Sequence, residues 1–208
     1  MLNILQRLGE LYKGEMMNNI NINVIDNFFN EDLQKSIWKS LAKPRWSFTG
    51  GNFHNPFWHI DDLHKEEFFN SHLKKIIIQK INLPVDVECI RIYANGQTAG
   101  QEGTAHIDDG HFTFLYFANL EWEITWQGHL MFLNKMGMEY EEENGRKTEK
   151  WDKWKYTYNE KEDEVSKIVT CKPNRAVIFP SNILHYADAP HRLYNGLRVS
   201  LAYKFKKI

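Results

Sequence analysis

Two side chains in the segment GTAHIDDGHFTFLYF are spaced to bind a metal ion together. His106 and Asp108 are two residues apart, so on a strand or at its end both side chains point to the same side. His185 ends the strand-like segment AVIFPSNILH, and a pair of antiparallel strands would bring it beside them. Two imidazoles and one carboxylate make the facial triad of non-haem Fe(II) sites, which leaves three positions open for a co-substrate and O2. The spacing predicts iron ligands at His106, Asp108 and His185.

A second His-x-Asp pair competes with this assignment. His59 and Asp61 have the same spacing, but they lie in a tryptophan-rich segment that precedes the β-rich region. The alternative interpretation is a role at the surface or at the start of a helix. His59 and Asp61 therefore stand as a rival metal pair.

An arginine follows the last candidate ligand at a distance that suits a co-substrate site. Arg198 lies 13 residues after His185 in the strand-like segment RVSLAYKF, where Arg198 and Ser200 share a face. A guanidinium binds a carboxylate through two parallel hydrogen bonds and a hydroxyl adds a third, which fits the distal carboxylate of 2-oxoglutarate. Taken alone, Arg198 would be an ordinary strand-edge arginine in a surface ion pair. Its place after the three ligands favours the co-substrate role.

The elements that must position these residues are mostly strands. From Val85 onward, short β-rich runs alternate with turn signals, and no helical pattern intervenes: VECIRIYA, FTFLYFANL, GHLMFL, KIVTC, RAVIFP and RVSLAYKF. Several short strands in succession predict a sandwich or a barrel. We therefore expect a mostly β fold with supporting helices (α+β) and a β-rich core over residues 85–208.

The first third of the chain has a different pattern. After the strand-like stretch Ile20–Phe29, Asn30 stands as an N-cap before the helical segment EDLQKSIWKSLA, and HKEEFFNSHLKKIIIQKI predicts another helix. The start, MLNILQRLGELYKGEMM, has leucines at helical spacing. We expect residues 1–84 to form a mainly helical support region within one domain of 208 residues.

A charged insertion interrupts the β-rich core at about residues 134–167. It carries EYEEENGRKTEK and YNEKEDE together with several aromatic residues. Long connections in compact domains are usually functional or disordered, which favours a flap over the substrate side of the barrel. The alternative is a β-hairpin extension that only packs or mediates self-association.

Composition and charge limit which partners and which cellular compartment are expected. The formal net charge of -1 and a pI near 6.8 give no clear signal for nucleic acid. No apolar run approaches membrane-spanning length. The two cysteines, Cys89 and Cys171, lie in apolar segments and read as buried free thiols, which fits a reducing cytosol. A cytoplasmic location is the expectation.

Over roughly Val85 to Phe205, the chain resembles the prolyl 4-hydroxylase-like branch of the Fe(II)/2-oxoglutarate-dependent dioxygenases. The matching segments are RIYANGQTAGQEGTAHID, YFANLEWEITWQGHLMF, FPSNILH and GLRVSLAYKF. The resemblance implies a double-stranded β-helix, a distorted jelly roll of the cupin type, with iron inside its open end. It also implies decarboxylation of 2-oxoglutarate to succinate, with O2 as oxidant and ascorbate as reductant.

The resemblance suggests further residues and also shows departures from the pattern. Tyr93 matches a strand tyrosine that helps to bind 2-oxoglutarate in relatives, and Tyr116 or Phe117 would fill a second such place. The motif that often reads Trp-x-Gly-Gly-Glu here reads WQGHL, and the step from His185 to Arg198 is long. His191 is therefore a rival to Arg198 as the co-substrate residue.

Asp108 bears on the type of reaction. In related halogenases a small residue replaces the carboxylate so that halide can bind the iron, and this chain keeps the carboxylate. Hydroxylation is the expected outcome, with prolyl residues of a protein or peptide as the first substrate class and a free amino acid or small metabolite as the second. Two other interpretations remain: a non-catalytic jelly-roll module that binds a metal or ligand, and a cupin-like metalloenzyme that does not use 2-oxoglutarate.

Overall fold

A computed structural model describes residues 22–52, 55–82, 87–136, 140–143, 146–149 and 164–208. Twelve strands lie in these ranges: β1 Asn23–Ile25, β2 Ser47–Asn52, β3 Asn55–Ile60, β4 Val87–Gln97, β5 Phe112–Phe117, β6 Leu130–Met136, β7 Tyr140–Glu143, β8 Arg146–Glu149, β9 Val165–Val169, β10 Ala176–Pro180, β11 Ile183–Ala187 and β12 Arg198–Lys207. The helices are α1 Glu31–Leu41 and α2 Lys74–Lys80, the second continuing a π-helical turn at Phe68–Leu73, with 3-10 turns at Leu63–Lys65 and Ile124–Trp126.

Most strands belong to two antiparallel sheets. The larger sheet has seven strands in the order β1-β10-β5-β12-β4-β3-β2, and the smaller has three in the order β11-β6-β9. Strands β7 and β8 form a separate two-stranded ladder. Sequence neighbours such as β4 and β5 are separated by β12, so the chain crosses between positions as it does in a jelly roll.

The two sheets enclose a shared apolar layer. Phe117, Val177 and Phe179 of the larger sheet pack in one buried cluster with Phe132 and Ile183 of the smaller sheet. Strands β5 and β10 thus present aromatic and β-branched side chains across the gap, which is the packing of a β-sandwich. This architecture confirms the jelly-roll fold that the sequence predicts.

The helices cover the outer face of the larger sheet. Ile37 of α1 and Ile77 of α2 pack in a second cluster with Phe114 and Leu201, which point away from the inner layer. The Asn30 side chain accepts a hydrogen bond from the Leu33 amide at 2.9 Å, so the predicted N-cap forms. Both faces of β5 and β12 are buried. On β12 the two faces differ: the odd-numbered side chains from Val199 to Phe205 pack in the helix-side cluster, whereas Arg198, Ser200 and Lys204 lie on the opposite face.

The support region also contains strands that the sequence did not predict. Strands β2 and β3 form a hairpin, and β3 pairs with β4, which extends the larger sheet by two strands. Gly50 and Gly51, a residue type that is uncommon inside strands, lie within β2.

Two sequence predictions fall outside the described residues. These are the amphipathic helix at residues 1–17 and most of the charged insertion at 134–167, with Trp151, Trp154, Tyr156 and Tyr158. Among the residues that are described, no helix is long and apolar enough to cross a lipid bilayer.

Candidate metal centre and co-substrate cavity

The backbone brings the two candidate histidine ligands side by side. His106 forms an isolated antiparallel bridge with His185, just beyond the β11 edge of the smaller sheet. The two imidazole rings lie 4.6 Å apart between centroids. A strand position and a neighbouring loop therefore present two imidazoles to the same space.

Asp108 completes the group. Its Oδ1 lies 3.6 Å from His106 Nε2, and its Oδ2 lies 3.3 Å from His185 Nε2. One ligand atom from each of the three residues lies within 4.8 Å of the others, and no other group of three such residues is found in the described part of the chain. The geometry brings together the triad that the sequence predicts.

Backbone carbonyls orient both histidine rings. His106 Nδ1 lies 2.7 Å from the Thr104 carbonyl oxygen, and His185 Nδ1 lies 2.8 Å from the Ile183 carbonyl oxygen. Because a carbonyl only accepts, each Nδ1 donates to it, and Nε2 is the nitrogen left to bind a metal. Burial lowers the pKa of His185 below its usual 6.5, which favours the neutral imidazole that a metal requires. The donors fit a divalent metal.

A buried lysine compensates the charge of Asp108. Lys204 is only 2% exposed and contacts Asp108 Oδ2 through its ammonium group. Thr113 donates its hydroxyl to the same oxygen at 2.7 Å. Burial raises the pKa of Asp108, but Lys204 and His185 lower it further, and the net pKa is held well below the usual 3.8. Asp108 is therefore an ionised carboxylate beside the two imidazoles.

The triad opens into a cavity of about 300 Å³ between the two sheets. Arg198 and Ser200 of β12 line it, as do Leu115 of β5 and Leu130 of β6. Arg198 is 1% exposed, and its Nη2 has no hydrogen-bond partner among the described residues. A buried guanidinium at the wall of a cavity is a group that an anionic ligand fits.

The other nitrogens of Arg198 are held by the protein. Nε donates to the Gly128 carbonyl at 3.0 Å, and Nη1 donates to Gln97 Oε1 at 3.1 Å and to Ser200 Oγ at 3.3 Å. The guanidinium carbon lies 5.0 Å from the centre of the Phe117 ring. The group is thus fixed in place, and Ser200 stands beside it as the sequence predicts.

The structure separates the two candidate tyrosines. Tyr93 lines the cavity and is 9% exposed. Tyr116 is absent from the cavity lining: it packs edge-on against Phe29 at 5.0 Å, and its hydroxyl donates to Asn174 Oδ1 at 3.2 Å. Along β5 the odd-numbered side chains face the cavity, so Phe117 rather than Tyr116 lies beside Arg198.

The rival histidines do not join the triad. His59 Nδ1 bonds to Asp61 Oδ2 at 2.8 Å, and His59 Nε2 bonds to the Thr49 hydroxyl at 2.8 Å, so both ring nitrogens are occupied within the protein. Asp61 in turn accepts from Arg91 at 3.0 Å. His59 and Asp61 line an outer wall of the same cavity. His191 accepts from the Leu193 amide through Nδ1 and does not line the cavity.

Lys204 is the site residue that sequence reasoning missed. It shares a face of β12 with Arg198 and Ser200, since all three positions are even-numbered. The alternation of side chains along β12 was the available sequence signal for Lys204. The strand ends in several lysines, however, and such a segment is typical of the protein surface.

Solved structures with the same fold bind iron and 2-oxoglutarate or act as prolyl hydroxylases. A Pseudomonas putida prolyl-4-hydroxylase aligns with a TM-score of 0.59 at 13% identity over 99% of both chains. HygX from Streptomyces hygroscopicus, solved with nickel, 2-oxoglutarate and hygromycin B bound, gives 0.58 at 9% identity over 96% of this chain and 86% of its own. The non-heme alpha ketoglutarate dependent epimerase SnoN from nogalamycin biosynthesis gives 0.62 at 10% identity over 98% and 83%.

At these identities the similarity establishes the fold. The chain has the double-stranded β-helix of 2-oxoglutarate oxygenases, a fold group in which the prolyl hydroxylases are one branch of several. No protein-family model and no curated protein sequence matches the chain.

Proposed function

We propose that this chain is an Fe(II)- and 2-oxoglutarate-dependent oxygenase that hydroxylates an unactivated C–H bond. One observation carries the proposal: a triad of two Nε2 atoms and one carboxylate shares a cavity with the buried guanidinium of Arg198. A metal ligand set and an anion site in one enclosed space match a metal-chelating dicarboxylate. The proposal assigns this site to one domain, with a jelly-roll core at 85–208 supported by residues 1–84.

His106, Asp108 and His185 would hold Fe(II) through three ligand atoms and leave three positions open. An Fe(II) ion held there would supply, together with 2-oxoglutarate and O2, the chemistry that inserts one oxygen atom into the substrate C–H bond while the co-substrate is converted to succinate and CO2. Lys204 and Thr113 hold Asp108 Oδ2, so Oδ1 is the carboxylate oxygen left for the metal. The protein thereby favours a ligand that takes one coordination position.

Arg198 would bind the distal carboxylate of 2-oxoglutarate through its guanidinium, and Ser200 would add its hydroxyl. Tyr93 stays a neutral donor in the same cavity, because burial raises its pKa well above 10. Leu115 and Leu130 line the intervening space with apolar surface. Exclusion of water from this space strengthens the charged contacts at both ends.

Prolyl residues of a protein or peptide are the first substrate class that we propose. The Pseudomonas putida prolyl-4-hydroxylase and a collagen prolyl hydroxylase of Paramecium Bursaria Chlorella virus-1 support it through shared fold. A small-molecule substrate is the second class, which HygX with bound hygromycin B supports in the same way. Thr49, His59, Asp61 and Arg91 form a chain of hydrogen bonds. This chain lines the cavity with polar groups that a substrate of either class would contact.

We also propose a reducing compartment, consistent with the cytosol. Cys89 and Cys171 are both free, and they are the only cysteines in the sequence. Burial raises the pKa of Cys89 to about 11 and that of Cys171 to about 12, so both stay protonated thiols.

The test is succinate formation from 2-oxoglutarate with Fe(II), ascorbate and O2, using the wild-type chain and Asp108→Ala. Wild-type turnover that the variant lacks supports the proposal. Proline-containing peptides and free amino acids are then supplied separately, and mass spectrometry detects the gain of one oxygen atom. Metal binding without any dependence on 2-oxoglutarate would instead indicate another metalloenzyme, and absence of both would indicate a non-catalytic module.

A further inference from the structure

The turn that precedes β6 has an unusual backbone beside Arg198. Gln127 has φ 56° and ψ -130°, and Gly128 has φ 69°. Residues other than glycine rarely adopt a positive φ. Such a residue keeps this backbone conformation only when its surroundings hold it there. The surroundings are identifiable: Trp122 Nε1 donates to the Gln127 carbonyl at 3.0 Å, and Gln127 bridges to Pro190.

This turn aims one carbonyl at the guanidinium. Gly128 accepts from Arg198 Nε at 3.0 Å. A Cβ atom at position 128 would lie 3.0 Å from Trp122 Cζ2 and 3.3 Å from Arg198 Cγ. Position 128 therefore requires glycine twice, once for its backbone angle and once because Trp122 and Arg198 close in from both sides.

The carbonyl of Gly128 helps to fix the orientation of the Arg198 guanidinium at the cavity wall. A planar guanidinium has a fixed fork of donors, so holding two of its nitrogens fixes the whole group. Gly128 holds Nε, and Gln97 and Ser200, which line the cavity, hold Nη1. Without the carbonyl of Gly128, the guanidinium could rotate out of this orientation.

We propose that the Gln127–Gly128 turn is a positioning element for 2-oxoglutarate binding, acting through Arg198 and touching neither metal nor substrate. The inference rests on the proposed function, because it assumes that the ligand of Arg198 is the distal carboxylate. It predicts that displacement of the turn weakens 2-oxoglutarate binding and leaves the metal ligands undisturbed. If the turn had only a structural role, its displacement would lower stability and leave the affinity for 2-oxoglutarate unchanged.

The decisive comparison is Gly128→Ala against Gly100→Ala. Gly100 has a similar φ of 79°, but a Cβ atom there would have nothing within 4 Å. Both variants carry the backbone penalty, and only Gly128→Ala displaces Arg198 and Trp122. Calorimetric titration of Mn(II) and then of 2-oxoglutarate into oxygen-free protein gives the two affinities without turnover, and thermal unfolding gives stability.

For Gly128→Ala we expect the Kd of 2-oxoglutarate to rise at least about 10-fold while the Kd of Mn(II) stays within about 2-fold. Gly100→Ala should bind both as the wild type does. Trp122→Phe keeps an aromatic ring and removes the donor to Gln127. It should show a smaller loss of 2-oxoglutarate affinity, and this measurement remains possible even if Gly128→Ala folds poorly.

Equal 2-oxoglutarate affinity in Gly128→Ala, Trp122→Phe and the wild type would overturn the positioning role while leaving the proposed function intact. Wild-type protein that binds Mn(II) but not 2-oxoglutarate, or an Arg198→Ala variant that binds 2-oxoglutarate normally, would overturn the assigned co-substrate site and this inference with it.

Discussion

His106 and His185 exchange both of their backbone hydrogen bonds: each amide donates to the other residue's carbonyl, at 2.9 Å and 3.0 Å. The two candidate ligands are far apart in sequence. Their close approach in space therefore depends on this one bridge and on the pairing of β11 with β6. His185 faces Phe132 in that pairing, and the Phe132 ring packs 5.9 Å from the imidazole. The candidate metal centre thus joins a position on β11 to the loop of His106 and Asp108, which the bridge holds beside the smaller sheet.

Removing any triad side chain should abolish tight metal binding. We expect His106→Ala, Asp108→Ala and His185→Ala each to weaken Mn(II) binding at least about 100-fold, because two remaining ligands chelate poorly. Oxygen-free equilibrium dialysis measures the loss. Asp61→Ala is the control, since Asp61 bonds to His59 and Arg91 on the outer wall. If Asp61→Ala lost the metal and Asp108→Ala kept it, the rival pair would be the true site.

Arg198 should control 2-oxoglutarate affinity separately from metal affinity. A charge-assisted contact contributes roughly 1.5–3 kcal/mol, so Arg198→Ala should raise the Kd of 2-oxoglutarate about 10- to 150-fold. Arg198→Lys should fall between, because an ammonium keeps the charge and loses the planar fork. Titration of the Mn(II)-loaded variants tests both expectations. Strong loss of Mn(II) binding in Arg198→Ala would show instead that the substitution disrupts the whole site.

The spacing of His106 and Asp108, together with the position of His185 at the end of a strand-like run, was sufficient to predict that the three side chains lie together. Six β-rich runs without helices predicted a sandwich or a barrel, and the family resemblance specified the jelly roll. Alternation along β12 places Arg198, Ser200 and Lys204 on one face of that strand. The sequence alone did not indicate that Lys204 belongs to the site, because a lysine on a strand is usually exposed and only the fold shows that both faces of β12 are buried.

Other features depend on contacts that one sequence does not reveal. Tyr116 and Phe117 are adjacent aromatics on a strand buried on both faces, so composition does not indicate which of them faces the cavity. The hairpin of β2 and β3 contains Gly50 and Gly51, which favour a turn locally, and its pairing with β4 overrides that preference. Tertiary packing decided both outcomes.

The two tyrosines should respond differently to loss of their hydroxyl groups. Tyr93→Phe should raise the Kd of 2-oxoglutarate about 2- to 10-fold, the effect of one hydrogen bond. Tyr116→Phe should leave that Kd unchanged and lower the free energy of unfolding by about 0.5–1.5 kcal/mol, because the Tyr116 hydroxyl donates to buried Asn174. Urea unfolding and ligand titration of both variants measure the pair. A reversed pattern would place Tyr116 in the co-substrate site.

His129 should make the stability of the metal-free protein depend on pH. Burial, with help from Arg198, lowers the pKa of His129 below its usual 6.5, against an opposing effect of Asp188. The unfolded chain therefore takes up a proton first as pH falls through 6.5, and folding stability is lost in that direction.

The measurement is urea unfolding of wild type and His129→Gln at about pH 7.5 and about pH 5.5. Other histidines titrate in both proteins, so the difference between them isolates His129. We expect the wild type to lose more stability than His129→Gln over this range. An equal or smaller loss in the wild type would show that His129 does not oppose protonation.

Lys204 should be essential to the metal-free fold and less so once a metal is bound. Lys204→Met keeps the length of the side chain but leaves the Asp108 carboxylate buried without its cation. Breaking a buried ion pair in this way costs about 3–5 kcal/mol. A divalent ion bound at the triad would restore positive charge beside Asp108, and binding to the folded state alone stabilises it. Saturating Mn(II) should therefore raise the free energy of unfolding of Lys204→Met by more than it raises that of the wild type. Lys206→Met on the same strand is the matched control, because Lys206 is exposed and should show neither effect. A metal-free Lys204→Met protein as stable as the control would mean that Lys204 does not stabilise the ionised carboxylate.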